Sequence, residues 1–447
     1  MAPSIKHTIV VLLLLLGFLA ALWTLATLLQ QRDFFQKGWE PPRKKNAVAN
    51  NWALLVAGSR SWENYRHQSD VAHAYHLLRQ NGLPEKNIVT MMFDDVANDS
   101  QNPQPGTLYN DLSGRNYYKE LVVDYRGNEV NAGNFLRVLE GRGDGKVIHS
   151  GPGDNVFLYY ADHGGVGVLG MPVGSLVTRS NLIESLQRKK RTNGYRKLVV
   201  YLESCEGGSM FEDFPPGLNV YAITAADPYE SSYAVLCSDW LPCVADEFSL
   251  SWMRDSEMNG IFDRSLSEQF SNAKRNTLES HVSEYGACDI RNDEIADFQG
   301  CSKGPRKPWK RPSNSIPSSA KGYKRLRIQD IPLELARGNR TRRREIEEKR
   351  EKVIETIRGI VGSVVEKTEA KEAVDFFVRK RRRHSQHSCT SRSIRRFDEK
   401  CARFSENPFA FKYSFVIANL CEWTREESPI VESIDAVCEN LSFDGVV

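Results

Sequence analysis

The sequence predicts an α/β fold, in which a mostly parallel sheet is flanked by helices, followed by an all-helical C-terminal module. Three observations lead to this prediction. Short apolar runs alternate with helical stretches over residues 50–255, Pro and basic residues fill 303–322, and four cysteines lie late in the chain. Strands that alternate with helices are typical of a parallel sheet covered on both faces.

The length and composition indicate a soluble protein with more than one domain. A chain of 447 residues exceeds a single ordinary core. Its 40% hydrophobic and 26% charged residues are typical of globular proteins. The net charge of +3 is too small to indicate a nucleic-acid partner. We interpret the late basic runs, such as "RKRRRH" (379–384), as solvated or linker segments.

An uncharged apolar segment occupies residues 8–29, within "TIVVLLLLLGFLAALWTLATLL". It is long enough to span a bilayer as a helix, and "TLA", ending at Ala26, resembles a signal-peptidase site. We therefore interpret residues 1–29 as a signal peptide or a signal anchor, and we favour cleavage. Both interpretations place the protein in the secretory pathway, with membrane attachment only if the segment is retained.

The first domain, predicted over 47–302, contains five buried strands. They are rich in aromatic and β-branched residues and are bounded by Gly, Pro or polar residues. Their sequences are "WALLVAG" (52–58), "IVTMMF" (88–93), "VFLYYAD" (156–162), "LVVYLES" (198–204) and "VYAITAA" (220–226). Helical spacing is predicted at 68–82, 131–141 and 178–190.

A linker is predicted over 303–345 and a helical module over 346–447. The linker is expected from its Pro and basic composition. The segment "REIEEKREKVIETIRGIVGSVVEKTEAKEAVDFFV" has apolar residues at a roughly helical period, so it is predicted as helix. Short helices held together by disulfides are expected after it.

Eight of the nine cysteines can be paired by position in an oxidising lumen. We predict Cys237–Cys243 and Cys288–Cys301, whereas the last four cysteines allow three connectivities. The remaining cysteine is Cys205. Three sequons mark candidate glycosylation sites, at Asn98, Asn339 and Asn440.

Two reactive side chains follow predicted strands. His163 lies just beyond "VFLYYAD", and Cys205 just beyond "LVVYLES". Ligands bind beyond the carboxyl ends of parallel strands, so neighbouring strands would bring imidazole and thiol together. A histidine that takes the thiol proton and later protonates the leaving amine supports acyl transfer. The amides of Gly164 and Cys205 are expected to stabilise the oxyanion.

The wider pattern resembles the legumain family of asparaginyl endopeptidases, or vacuolar processing enzymes, which are caspase-like cysteine proteases. The segments that carry the resemblance are "WALLVAGSRSWENYRHQSDVAHAYHLL", "DDVANDSQNPQPG", "DHGGVGVLGMP", "YLESCEGGSMF", "YAITAADPYESSYA" and "DEFSLSWMRDSE". The cysteines of "HSC…FDEKC…IANLCE…DAVCENL" resemble the family's prodomain. The resemblance implies a caspase-like catalytic domain, no metal and no cofactor.

The resemblance also implies roles for individual residues. Cys205 matches the nucleophile, His163 the base, and Asn64 the residue that completes the catalytic group. Six more residues match the pocket for the amino acid before the scissile bond: Arg66, His67, Glu203, Ser231, Ser232 and Asp246. Asp162 matches the acidic residue beside the base.

Such a pocket explains why carboxylates flank the thiol at Glu203 and Glu206, although negative charge disfavours a thiolate. An asparagine side chain offers both a carbonyl acceptor and an amide donor. We expect Arg66 to donate to it and to balance the charge of Glu203, while Glu203 and Asp246 accept from its amide. Aspartate is expected to fit only when protonated, at acidic pH.

The tail implies a latent enzyme. The family resemblance implies that the prodomain caps the active site, leaves in an acidic lysosome or vacuole, and contains the disulfides Cys389–Cys421 and Cys401–Cys438. Basic runs are expected to pair with carboxylates that acid protonates. Self-cleavage is expected after Asn339 or Asn314. The implied partners are protein substrates with Asn or Asp before the scissile bond, the chain's own prodomain and cystatin-type inhibitors.

Two alternatives stay open from the sequence. A catalytic subunit of the GPI-transamidase type would share the His and Cys arrangement, but "ESSY", Glu203 and the cysteine-rich tail disfavour it. A non-catalytic binding homologue would have no need of Cys205, His163 and Asn64. Peptide ligation is a further activity that a thioester intermediate permits.

Overall fold

A six-stranded sheet lies at the centre of the computed structural model, which describes residues 50–238, 241–301, 324–367, 374–441, 443 and 445–447. Residues Asn50–Val447 belong to one compact unit. The strands, in chain order, are β1 (Asn51–Ala57), β2 (Ile88–Met91), β3 (Asn155–Ala161), β4 (Gly164–Gly165), β5 (Val168–Leu169), β6 (Val177–Thr178), β7 (Lys197–Glu203), β8 (Val220–Thr224), β9 (Tyr233–Cys237), β10 (Ala245–Asp246), β11 (Ser283–Gly286) and β12 (Lys324–Arg327).

The described helices are α1 (Tyr65–Gln80), α2 (Ala132–Glu140), α3 (Arg179–Arg191), α4 (Glu247–Asn259), α5 (Leu266–Asn276), α6 (Ala296–Gln299), α7 (Ile331–Leu335), α8 (Arg340–Lys367), α9 (Val374–Arg379), α10 (His387–Lys400), α11 (Ser414–Thr424) and α12 (Ser428–Cys438). The sequence predicted the start of α8 four residues late. The short 3-10 helix Pro408–Tyr413 precedes α11 and matters for the site.

The main sheet has the strand order β11-β8-β7-β3-β1-β2. The five predicted strands are parallel, and β11 adds an antiparallel strand at one edge. Strand β11 was not predicted because its residues, "SEYG", are polar and only partly buried. The α/β prediction is therefore confirmed, with the apolar runs forming strands that are buried on both faces.

Helices cover both faces of this sheet. On one face, Leu55 of β1 belongs to a core cluster with Leu77 of α1 and Trp252 of α4. On the other face, Leu54 packs in a cluster with Phe135 of α2 and Leu186 of α3. Successive strand residues point to opposite faces, so a single strand supplies both cores.

The C-terminal helices share a third core that includes residues of the catalytic part. Ile357 of α8, Phe397 of α10 and Ile417 of α11 cluster with Val166 and Val168, which follow β4. The C-terminal module is therefore packed against the loop that leaves the carboxyl end of β3. The compositional linker (303–322) and Asn314 lie outside the described residues, and β12, which follows, pairs with β9.

Three disulfides are formed: Cys237–Cys243, Cys389–Cys421 and Cys401–Cys438. The pairing implied by the resemblance is therefore present. The predicted Cys288–Cys301 bond was wrong, since both thiols are free.

Sheet topology explains the separation of these two thiols. Cys288 follows β11 at one edge of the sheet, while Gly300, next to Cys301, accepts a hydrogen bond from Asn51 at the start of β1. β1 lies four strands away from β11, which is roughly 19 Å at the usual strand spacing. A disulfide requires Cα atoms within about 7 Å.

Among the described residues, no helix combines the length and apolar character needed to cross a membrane. The apolar segment at 8–29 lies outside those residues.

Candidate active site

The two reactive side chains emerge side by side because β3 and β7 are neighbours. Ala161 pairs with Glu203 in register, so His163 and Cys205 leave adjacent strand ends. Both line one cavity, together with Asn64 and Gly164. A Cβ atom on Gly164 would lie 2.5 Å from the carbonyl oxygen of Cys205, so only glycine fits there.

The orientation of Asn64 fixes the tautomer of His163. Asn64 Nδ2 donates to the carbonyl of Arg60 (2.8 Å), which turns Oδ1 towards His163 Nε2 (2.7 Å). Because that oxygen only accepts, Nε2 carries the proton and Nδ1 is left with the lone pair. Burial, and then the charge of Arg66, hold the pKa of His163 well below its usual value. The imidazole is therefore a neutral base.

The thiol is protonated in this arrangement. Burial, and to a lesser extent the charge of Glu206, raises the pKa of Cys205 to about 12 even though hydrogen bonds with Ser232 lower it. The Sγ atom lies 3.9 Å from Ser232 Oγ. Thiolate formation therefore needs a base at the moment of attack, and a neutral imidazole supplies one.

The pocket residues form a buried polar cluster. Arg66 Nε donates to Asp246 Oδ1 (2.8 Å), and Glu203 Oε2 accepts from both the amide and the hydroxyl of Ser249 (2.9 Å each). We expected Arg66 to balance Glu203. Arg66 instead forms an ion pair with Asp246, because Glu203 lies against the first turn of α4.

His67 and Asp162 lie between the pocket and the base. His67 Nδ1 is 2.6 Å from Ser59 Oγ, and its ring meets that of His163 edge to face with 5.2 Å between centroids. Asp162 is 1% exposed, and burial raises the pKa of its carboxyl group well above the usual range. Burial therefore favours the protonated form of Asp162 beside the base.

His67, Asp162 and His163 place ligand atoms within 4.8 Å of one another. We assign no metal to them, for two reasons. Cβ atoms on Gly58 and Gly170 would lie 2.5 and 2.2 Å from Asp162 Oδ2, so that oxygen is tightly enclosed. His67 Nδ1 and His163 Nε2 already contact Ser59 and Asn64.

The C-terminal module covers the reactive pair. The ring of Phe411 stacks on His163, and Ser414 Oγ accepts from the amide of Val166 (2.9 Å). Arg381 forms an ion pair with Glu206 and donates to the carbonyl of Tyr229 (2.9 Å).

Sequence reasoning found the basic run that contains Arg381 but did not predict its partner, and it missed Phe411 and Ser249. Of the predicted pocket residues, Ser231 lines the cavity of Cys205 and His163. An aromatic residue in a helical module gives no signal that separates an active-site contact from a core position.

Comparison with known families agrees with this geometry. The Peptidase C13 family model matches residues 51–301, and a legumain prodomain model matches residues 342–438. The chain belongs to the peptidase C13 family. It is a legumain-type cysteine endopeptidase with a prodomain, and therefore a zymogen. The prodomain match selects this type over the GPI-transamidase alternative.

Several C13-related proteins align over much of the chain. Legumain of Bos taurus is 34% identical over 412 residues, covering 87% of this chain and 93% of the relative. Hemoglobinase of Schistosoma japonicum is 43% identical over 293 residues (64% and 67%), and the vacuolar-processing enzyme β-isozyme of Arabidopsis thaliana 42% over 278 residues (57% and 57%). A caspase-1 structure from Spodoptera frugiperda aligns with 8% identity and a TM-score of 0.37, covering 60% of this chain and 96% of that one.

The candidate modification sites are accessible where described. Asn98, Asn339 and Asn440 are exposed. Asn339 precedes α8, and its Oδ1 accepts from the amide of Arg342 (3.0 Å), so it caps the first helix of the prodomain.

Proposed function

We propose that this C13 peptidase cleaves the peptide bond after asparagine. One observation carries the proposal. Arg66 Nη2, Glu203 Oε1 and Asp246 Oδ2 are buried, and none has a hydrogen-bond partner among the described residues. With both carboxyl groups ionised, this set contains one donor and two acceptors. An asparagine side chain offers one carbonyl oxygen and an NH2 group with two hydrogens, so it satisfies all three atoms.

Selectivity follows from the cost of leaving these groups unpaired. A side chain that lacks an N–H leaves the two carboxylate oxygens without a donor, and buried unpaired polar groups are costly. Ionised aspartate would in addition place a negative charge against them. Protonated aspartate offers one O–H and one carbonyl oxygen, so cleavage after Asp is expected in acid. Ser231, Ser232 and His67 are proposed as the remaining wall.

The chemistry uses the thiol, the imidazole and backbone amides. His163 Nδ1 takes the proton of Cys205 as Sγ attacks the substrate carbonyl carbon, and the amides of Gly164 and Cys205 bind the oxyanion. The C–N bond breaks as His163 protonates the leaving amine, which leaves a thioester. Water, deprotonated by His163, then releases the acid and the thiol. An amine that replaces this water gives peptide ligation.

We propose that acid releases the prodomain through His384. This histidine is 1% exposed, and neither ring nitrogen has a hydrogen-bond partner among the described residues. It lines a small cavity with Arg179, Glu212 and His387, between the catalytic domain and the prodomain. Burial lowers the pKa of His384 to about 4, although Glu422 raises it.

The difference between the pKa of His384 in the docked form and in solution favours release of the prodomain in acid. The docked form binds the His384 proton only near pH 4, whereas a solvated histidine binds it near pH 6.5. As the pH falls below about 6.5, the released form gains protons that the docked form does not, so docking weakens. Burial raises the pKa of Glu206 to about 8 even though Arg381 lowers it. That carboxylate therefore titrates above the acidic range and does not supply the switch.

Separation also requires a cut, which we propose after Asn339. Its exposure and its place before α8 support this site. Glycosylation would compete with cleavage because Asn339 lies in the sequon "NRT". N339Q is expected to abolish the new terminus at Arg340 on mass spectrometry. T341A removes the sequon while keeping Asn339, so it should preserve or increase the cut. Normal trimming of N339Q would reject this site.

The remaining proposals concern compartment and partners. We propose a secretory-pathway location that ends in a lysosome or vacuole, and cystatin-type proteins as inhibitors. The exposed sequons support the first proposal, since glycans are added in that pathway.

The specificity proposal is tested with peptides that differ only in the residue before the scissile bond. Acid-processed enzyme should cleave after Asn at pH 5 to 7, after Asp only towards pH 5, and poorly after Gln or Ala. The C205S variant, which lacks the nucleophile, gives the background rate of cleavage. Equal cleavage after Asn and Asp at pH 7 would refute the proposed pocket.

A further inference from the structure

One short segment carries partners for both sides of the proposed pocket. Strand β10 ends with Asp246, which pairs with Arg66, and the first turn of α4 contains Ser249, which donates to Glu203. Because Asp246 and Ser249 lie only three positions apart, a shift of this segment moves both partners. The position of this segment therefore sets the distance between the guanidinium group of Arg66 and the carboxylates of Glu203 and Asp246.

Three side chains outside the segment hold it in place. Asp70 of α1 accepts through Oδ2 from the amide of Asp246 (3.2 Å). Asn110, in the connection between β2 and α2, donates through Nδ2 to Asp70 Oδ1 (2.6 Å) and to the carbonyl of Val244 (2.9 Å). Ser69 Oγ donates to the same carbonyl (2.6 Å). Asp70, Asn110 and Ser69 are completely buried.

These bonds connect the two halves of the pocket directly. Arg66 lies one helical turn before Asp70 on α1, and side chains four residues apart share one face of a helix. The helix that carries the guanidinium group is therefore attached to the strand that carries its carboxylate partner. Neither Asp70 nor Asn110 lines the cavity of Cys205 and His163.

The orientation of Asn110 is itself fixed. Its Oδ1 lies 2.7 Å from His73 Nδ1, and His73 Nε2 lies 2.8 Å from Glu257 Oε1 on α4. Burial lowers the pKa of His73, but the carboxylates of Glu257 and Asp111 and the hydrogen bond with Asn110 together raise it overall. A doubly protonated His73 donates to Asn110 Oδ1, which turns Nδ2 towards Asp70 and Val244.

We propose that Asp70 and Asn110 are positioning residues that determine substrate specificity by fixing residues 244–249 against α1. The inference rests on the proposed preference for asparagine. A displacement of about 1 Å is enough to cost a site roughly 10²-fold in efficiency. The expected loss falls on recognition of the substrate side chain and leaves the thiol and imidazole unchanged.

The test uses the full chain after acid processing, with N110A and D70N as variants. D70N keeps the size of the side chain but places an N–H donor against Asn110 Nδ2 or the amide of Asp246. N102A is the matched control, because buried Asn102 lies in the same connection and donates to the carbonyls of Ala97 (2.9 Å) and Thr107 (3.0 Å). Peptides with Asn or Gln before the scissile bond are compared.

Both variants should raise KM for the Asn peptide and lower the Asn-to-Gln ratio of kcat/KM by about tenfold or more. Alkylation of Cys205 by iodoacetamide should stay within about twofold of the wild type, since the accessible thiol is untouched. N102A should keep the wild-type ratio. N110S replaces N110A if the latter does not fold.

An unchanged ratio in N110A and D70N, or an equal loss for both peptides, would overturn the inference. The unsubstituted enzyme tests the proposed function separately. If it shows no preference for Asn, the pocket assignment itself fails, whatever the variants do.

Discussion

The ring of Phe411 lies over the ring of His163, with 6.2 Å between the centroids and 18° between the planes. Phe411 belongs to the 3-10 helix that precedes α11 of the prodomain. A side chain in this position prevents a substrate from reaching the base. Together with the contact of Arg381 with Glu206, this aromatic contact covers the reactive pair of the zymogen.

F411A should loosen this cover at neutral pH. Loss of a stacked pair costs about 0.5–1.5 kcal/mol beyond the buried area, so labelling of Cys205 in the zymogen should rise by at least about twofold. The rate of alkylation at pH 7 provides the measurement. Phe376 is 39% exposed in the same prodomain, so F376A is the control and should label like the wild type.

H384Q should shift activation to lower pH. The difference between a pKa of about 4 in the docked form and 6.5 in solution corresponds to about 3 kcal/mol at full protonation. Removing this group removes that driving force, so the midpoint of self-processing should move downwards by at least about half a pH unit. H281Q, at an exposed histidine paired with Glu230, is the control. An unchanged midpoint would exclude His384 as the sensor.

N64A should lower kcat with little change in KM. Without the acceptor Oδ1, His163 Nε2 is no longer held as the protonated nitrogen, and Nδ1 is not reserved as the base. A loss of about 10²-fold is expected, within the usual range for general-base catalysis. N64D keeps an acceptor and should retain more activity than N64A. Equal rates for the two variants would contradict the assigned tautomer.

R66K should weaken recognition of the substrate side chain without changing the reactivity of Cys205. Lysine keeps the charge but lacks the planar fork that pairs with Asp246 and also presents Nη2. We expect kcat/KM for an Asn peptide to fall by about 10²-fold or more, measured beside alkylation of Cys205, which should not change. A parallel fall in alkylation would show that the substitution disturbs the reactive pair instead.

Removal of a prodomain disulfide should destabilise the chain, whereas removal of a free thiol should not. The Cys401–Cys438 bond closes a loop with a sequence separation of 37, for which chain entropy predicts about 4 kcal/mol. In the C401S/C438S chain, the prodomain should therefore unfold at a lower urea concentration than in the wild type. C288S should unfold like the wild type, since exposed Cys288 is unpaired.

Much of the fold was predictable because the strands carry a local signal. The apolar runs around Val156 and Val200 are long enough for a strand and bounded by polar residues, so they were placed within two residues of their ends. Strand β11 was missed because an edge strand need not be apolar. The two reactive side chains were also predictable, since both directly follow such runs.

The sequence by itself determined the order of strands and helices, the strand-end positions of His163 and Cys205, and the family pattern, because these depend on neighbours along the chain. Only the tertiary structure decided that Arg66 pairs with Asp246, that Cys288 and Cys301 stay four strands apart, that Phe411 covers His163, and that Asp70 and Asn110 hold β10. The physical reason is that buried polar and aromatic side chains choose partners across large sequence separations. Those partners depend on which elements pack together, and no periodicity records that packing.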